Sequence, residues 1–62
     1  MIIEFKDGKK KEFPFQITAY EVLKSLSSSL AKEAVAVYVN SEMKDLSYQI
    51  TDDCKLIAIT KD

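Results

Sequence analysis

The chain has 62 residues, 47% of them hydrophobic, and a net charge of −1; this is one small domain with enough apolar material for a core, which excludes disorder. Nine lysines supply all the positive charge, with no arginine and no histidine. The commonest general base and metal ligand is therefore missing, as is the best bidentate reader of phosphate and guanine, and the balance is too acidic for a dedicated DNA-binding module.

Residues 1–6, MIIEFK, alternate, with Ile3 and Phe5 pointing one way and Ile2, Glu4 and Lys6 the other. Period two predicts a half-buried strand. Asp7-Gly8 follows and predicts a hairpin through a type I′ turn, which needs positive φ at both central residues. Lys9 to Phe15 is then the returning strand, with Lys11, Phe13 and Phe15 on one face. Pro14 cannot donate a ladder hydrogen bond, so it belongs on an edge or at the strand end.

Ile17 to Leu26 is the clearest helix. Thr18 and Glu21 have the spacing of a capping box, and Ile17 and Val22 that of a hydrophobic staple. Ala19, Val22, Leu23 and Leu26 form one apolar stripe. Ser27-Ser28-Ser29 predicts a loop, because serine competes for backbone hydrogen bonds. Leu30 to Ala34 can add a further helical turn. Val35 to Val39 is a continuous apolar run, predicting a strand covered on both faces or centrally placed. Asn40-Ser41 is a turn and Glu42 to Lys44 a short strand at best. Leu46 and Ile50 return to the core through an irregular stretch, Asp52-Asp53 turns, and Lys55 to Thr60 alternates. Which of its faces lies inside is open at this point.

Lys6, Lys9, Lys10 and Lys11 place four ammonium groups around the first turn. A contact to RNA phosphate fits them; so does a solvated hairpin tip whose lysines block edge pairing. The lack of an aromatic-plus-arginine platform favours the second reading. Glu42, Asp45, Asp52 and Asp53 suit turn chemistry better than metal or acid–base work, since the adjacent aspartates diverge and no calcium-loop spacing surrounds them. Cys54 has no cysteine or histidine partner, so neither a disulfide nor a reactive thiol is expected. Tyr20, Tyr38 and Tyr48 could meet a partner or border the core. Gly8 is the only glycine, so no phosphate-cradling loop exists and no cofactor is expected. No apolar run reaches the length of a membrane span, and the N-terminus lacks signal-peptide character. A cytoplasmic protein without membrane or DNA partners is expected.

The element order, a hairpin, one main helix and further strands, is that of an α+β chain of the β-grasp, or ubiquitin-like, plan, with a small mixed sheet. From Leu30 the chain becomes more specific. LAKEAVA, then Val39-Asn40, Glu42, Asp45-Leu46, Ile50, Asp53, Leu56 and Ile59-Thr60, with the Asp7-Gly8 turn and the Thr18 helix start, resemble the TGS domain at the N-terminus of threonyl-tRNA synthetases. The resemblance covers essentially residues 1–62, and the ordered set carries it rather than any one motif. Other homes of this domain are Obg-type GTPases and (p)ppGpp synthetases, which commonly show Ile-His at the helix end; Ser25-Leu26 stands there in this chain. The synthetase pattern usually has glycine where Ser29 and Ser41 stand, which implies left-handed backbone at both.

The resemblance implies a β-grasp fold and a single TGS domain excised from the N-terminus of a larger chain. It implies no catalytic, zinc, threonine or ATP residue here, because aminoacylation and editing lie in later domains of that family. The implied role is accessory: docking on neighbouring domains of the parent chain, or on tRNA or other RNA through Lys6, Lys9, Lys10 and Lys11. A (p)ppGpp synthetase or Obg-type parent, or a free-standing RNA or ribosome-associated module, is the alternative. A sulfur-carrier or ubiquitin-type modifier would end in Gly-Gly, whereas this sequence ends Thr60-Lys61-Asp62.

Overall fold

Alternation at the N-terminus builds the first hairpin. In the computed structural model, which describes residues 1–61, Ile2–Phe5 forms β1 and Lys10–Glu12 forms β2. They pair antiparallel, with Ile3 opposite Lys11 and Glu4 opposite Lys10. The turn differs from the expected two-residue form. Of its residues only Gly8 has positive φ, at 88°. The Gly8 amide donates to the Phe5 carbonyl and the Phe5 amide to the Lys9 carbonyl. Lys6, Asp7 and Gly8 thus make a three-residue loop with a glycine bulge. The Asp7 carboxylate steadies it, accepting from the Lys9 amide at 3.0 Å.

β2 stops at Glu12. Phe13 still turns inward and is buried, with Lys11 Nζ 5.5 Å from its ring centre. Phe15, expected on that same face, is 70% exposed. Pro14 cannot extend the ladder, and Gln16 follows in the left-handed region at φ 66°, so the alternation is lost before Phe15.

A short strand β3 (Ile17–Thr18) leads into the main helix α1 (Ala19–Leu26). The capping box is present: the Glu21 amide donates to Thr18 Oγ1 at 3.1 Å, and the Glu21 carboxylate accepts from the Thr18 amide and hydroxyl. Ala19, Val22 and Leu23 are buried as the stripe requires. Leu26, its fourth member, is 41% exposed, because the helix ends there. The expected triple-serine loop shrinks to one residue. Ser27 is extended; its amide donates to the Leu23 carbonyl, closing α1, and its hydroxyl accepts from the Leu30 amide at 3.3 Å, opening α2 (Ser28–Glu33). Serine is a strong helix N-cap, and that role prevails here over its role as a breaker. Leu30 and Ala31 pack toward the core.

β4 (Ala34–Val39) follows, then β5 (Glu42–Lys44), β6 (Gln49–Ile50) and β7 (Cys54–Thr60). The result is a small α+β fold with a mixed five-stranded sheet, order β2-β1-β7-β4-β5, and two helices. β7 runs parallel to β1 and antiparallel to β4. β6 pairs with β3 in a separate ribbon, an element with no distinct sequence signal. The expected central strand, Val35 to Val39, is displaced: β7 holds the centre. Nor is β4 covered on both faces. Ala34, Val37 and Val39 are buried while Val35 and Tyr38 are exposed, since the helices cover only one side of the sheet. The open question at Lys55 to Thr60 is resolved by Leu56, which is buried with Ile3, Val22, Leu23, Val37 and Ile50. Ile57 and Ile59 lie on the other side.

Asn40 and Ser41 join β4 to β5 with φ of 51° and 72°, the double left-handed pattern of a type I′ turn. Ser41 therefore adopts the backbone implied by the family's glycine, whereas Ser29 is helical and does not. Asn40 ties this turn to β7: its side-chain oxygen accepts from the Lys55 amide at 2.9 Å, and its amide donates to the Lys55 carbonyl at 2.9 Å.

Candidate docking surfaces

The hairpin gathers Lys6, Lys9, Lys10 and Lys11 around one turn, all exposed. Their directions differ. Lys6 and Lys9 flank the loop. Lys10 stands opposite Glu4 on the outer sheet face, and Lys11 opposite Ile3 on the inner one, over Phe13. Successive strand residues point to opposite faces, so the four ammonium groups do not converge on a common point.

The acidic residues are separated by their own bonds. Asp45 accepts from the Ser47 hydroxyl at 2.6 Å and the Ser47 amide at 3.0 Å; these bonds hold its carboxyl below the ordinary value, the hydroxyl contributing most. Glu42 pairs with Lys44 at 3.0 Å, an exposed ion pair of little energetic weight. Asp53 accepts from the Ile2 amide at 2.7 Å. Among the described residues no group of three or more His, Cys, Asp or Glu could hold a metal ion. Cys54 is half-buried and packs against the core. Burial pushes its thiol pKa up, and the charges of Asp53 and Asp52 add to this, which opposes thiolate formation.

The three tyrosines are all partly exposed but lie on different elements: Tyr20 on α1, Tyr38 on β4, and Tyr48 before β6, where Lys44 Nζ sits 5.2 Å from its ring centre. No described helix is long and apolar enough to cross a membrane.

The sheet face opposite the helices is also uncovered. Its two halves differ in character. Across β2, β1 and β7 runs a charged row, Lys10, Glu4 and Lys55. Across β7, β4 and β5 runs an apolar row, Ile57, Tyr38 and Met43, with Ile59 opposite Ala36 beside it. Met43 is 62% exposed. Contiguous exposed apolar surface rimmed by charge marks interaction sites. Sequence reading singled out Tyr38 but not Ile57, Ile59 or Met43. The alternation of Lys55 to Thr60 held the signal, but only the pairing with β4 shows which side faces solvent.

The TGS domain family model matches residues 1–60 of this chain. Over 58 residues the chain is 50% identical to the threonine-tRNA ligases of Rickettsia akari (strain Hartford) and Rickettsia africae (strain ESF-5). It is 47% identical to that of Rickettsia bellii (strain OSU 85-389). Each match covers 94% of this chain but only 9% of the relative, in its N-terminal region. The similarity thus spans the whole sheet and both helices and stops at the TGS segment of those proteins. The chain belongs to the TGS domain family.

Proposed function

We propose that this chain is the TGS module of a threonyl-tRNA synthetase, a non-catalytic accessory domain that docks on neighbouring domains of its parent protein. The parent enzyme attaches threonine to tRNA using ATP, in the cytoplasm, through domains other than this one. The observation that carries the reading is the 50% identity to threonine-tRNA ligases across 94% of the chain. The mixed five-stranded sheet with one main helix is consistent with the β-grasp plan of that reading. The half-apolar open sheet face supplies the docking surface. The coding sequence beyond Asp62 tests the assignment. Editing and aminoacylation domains downstream support it; a (p)ppGpp synthetase or G domain there overturns it.

A second reading, contact with tRNA through Lys6, Lys9, Lys10 and Lys11, rests on the clustering of four ammonium groups at one turn. An NMR titration with tRNA at low and moderate salt separates the two. Salt-sensitive shifts at Lys9 to Lys11 support RNA contact, and their absence removes it.

A further inference from the structure

A groove lies on the other side of the molecule from the open sheet face. Leu23 and Leu26 of α1 and Leu30 of α2 form one wall; Phe5, Leu56 and Ala58 form the floor, with Lys6 and Asp7 at the lip. It encloses about 530 Å³. A second depression shares Phe5, Asp7 and Leu26 and continues the groove to Lys9, Lys10 and Lys11. Leu26, shed from the core where α1 ends, presents its side chain here.

Two features define what fits. The first is charge. Lys6, Lys9 and Lys11 stand against one aspartate along the two depressions, Lys10 being turned to the outer sheet face, and that carboxylate already accepts from the Lys9 amide. The second is the sheet edge. β1 pairs with β7 only as far as Phe5 opposite Leu56, after which the chain turns into the hairpin. β7 runs on, and Ile57 to Thr60 pair with β4 alone. Their side toward β1 carries no strand among the described residues. Four residues of strand span about 13 Å.

We propose that this groove is the docking site for an extended, acidic protein segment. Its backbone lies along β7 beyond Leu56, adding a strand to the open edge. Alternate side chains then point the same way, so two aliphatic residues separated by one position sit among Leu23, Leu26, Leu30 and Ala58. Acidic neighbours meet Lys6, Lys9 and Lys11. The lysines alone would suit RNA equally, but the walls do not. Apart from Lys6 and Asp7, every residue lining the first depression is apolar, so the polar edge of a base would lose water and gain few partners. Phe5 is the one aromatic side chain lining the two depressions and packs on Phe13 edge-on, at 6.3 Å and 78°, so the groove lacks the succession of aromatic faces on which single strands stack.

The test is a 15N NMR titration of the 62-residue chain with a nine-residue peptide, Asp-Glu-Asp-Leu-Ser-Leu-Asp-Glu-Asp, blocked at both ends. Saturable shifts at Leu23, Leu26, Leu30 and Ile57 to Thr60 are expected, with a Kd on the order of 100 µM. Replacing both leucines of the peptide by serine weakens binding about tenfold or more. The chain variant L26S, altered at an exposed helix end, does the same while its remaining spectrum stays dispersed. The double variant K6E/K9E weakens binding and reduces its salt dependence. Absence of shifts at about 1 mM peptide overturns the proposal. Equal binding of the serine peptide also overturns it, by reducing the contact to charge attraction. Larger shifts of the same groove residues with a nine-nucleotide oligoadenylate overturn it in favour of RNA.

Discussion

The amide of Ile2 donates to the carboxylate of Asp53 at 2.7 Å, joining residues 51 positions apart in sequence. The bond sits where β1 and β7 begin their parallel pairing, one step before Ile3 meets Cys54. It therefore helps set the register of the one parallel contact in the sheet. Asp53→Ala leaves that amide without its partner and is expected to cost ~1 kcal/mol. Out of a total of about 3–5 kcal/mol for a core of this size, that is a visible fall in the urea midpoint. Asp53→Asn keeps an acceptor oxygen and should lose less. Equal midpoints for Asp53→Ala and the parent chain would show that the strand register does not depend on this bond.

Ser29 and Ser41 are the two positions at which left-handed backbone was expected, yet their backbones differ. Ser41 stands at φ 72°, and a left-handed non-glycine residue costs roughly 1–2 kcal/mol. Glycine gives back part of that gain through the unfolded chain, about 0.4–1 kcal/mol. Ser41→Gly should thus raise stability by roughly 0.5–1 kcal/mol, while Ser29→Gly, inside α2, should lower it by a few tenths. Thermal unfolding of the two variants side by side reads the opposite signs. A drop for both would mean that the β4–β5 turn is not strained.

Val22 has no exposed surface and lies in the middle of the α1 stripe. Val22→Asp places a carboxylate in the buried apolar cluster that includes Ile3, Val37 and Leu56, with no partner, a cost larger than this small core can absorb. The variant should be unfolded at neutral pH by circular dichroism. A folded, dispersed spectrum would contradict the inward orientation of this stripe.

How far these features could be read from sequence depended on how local their causes are. The α1 start was legible because Thr18 and Glu21 satisfy each other within one turn. The first hairpin was legible, but its loop was not. Glycine supplies positive φ equally to a type I′ turn and to a bulge, and only the pairing of Glu4 with Lys10 decides between them. Ser27 was ambiguous for a chemical reason, since one hydroxyl can break a helix or cap the next. The centre of the sheet was misplaced because β4 is the most apolar run, whereas centrality belongs to β7 through its pairing with β1 on one side and β4 on the other. The lysines were found, but charge alone does not name a partner. The groove beside them required knowing that α1 stops at Leu26 and that β7 outruns β1.

Asp45 gives a pH dependence of definite sign. Its bonds to Ser47 lower its carboxyl below the ordinary value of 3.8. A depressed folded-state pKa means that the stabilisation is fully present above the unfolded value. It is lost as pH falls through the folded one. The stability difference between the parent chain and Asp45→Asn should therefore be constant from neutral pH down to about 4 and shrink below that. A difference that grows on acidification would reverse the assignment.

In the function proposed above, this chain works by surface contact, with the half-apolar sheet face turned to a neighbouring domain. Hydroxyl-radical footprinting of Tyr38 and Met43 measures this directly, comparing the 62-residue chain with the full-length parent protein, with Tyr20 as the internal reference. Both residues should be modified several-fold more slowly in the parent while Tyr20 changes little. Equal rates for Tyr38 and Met43 in the two forms would contradict it.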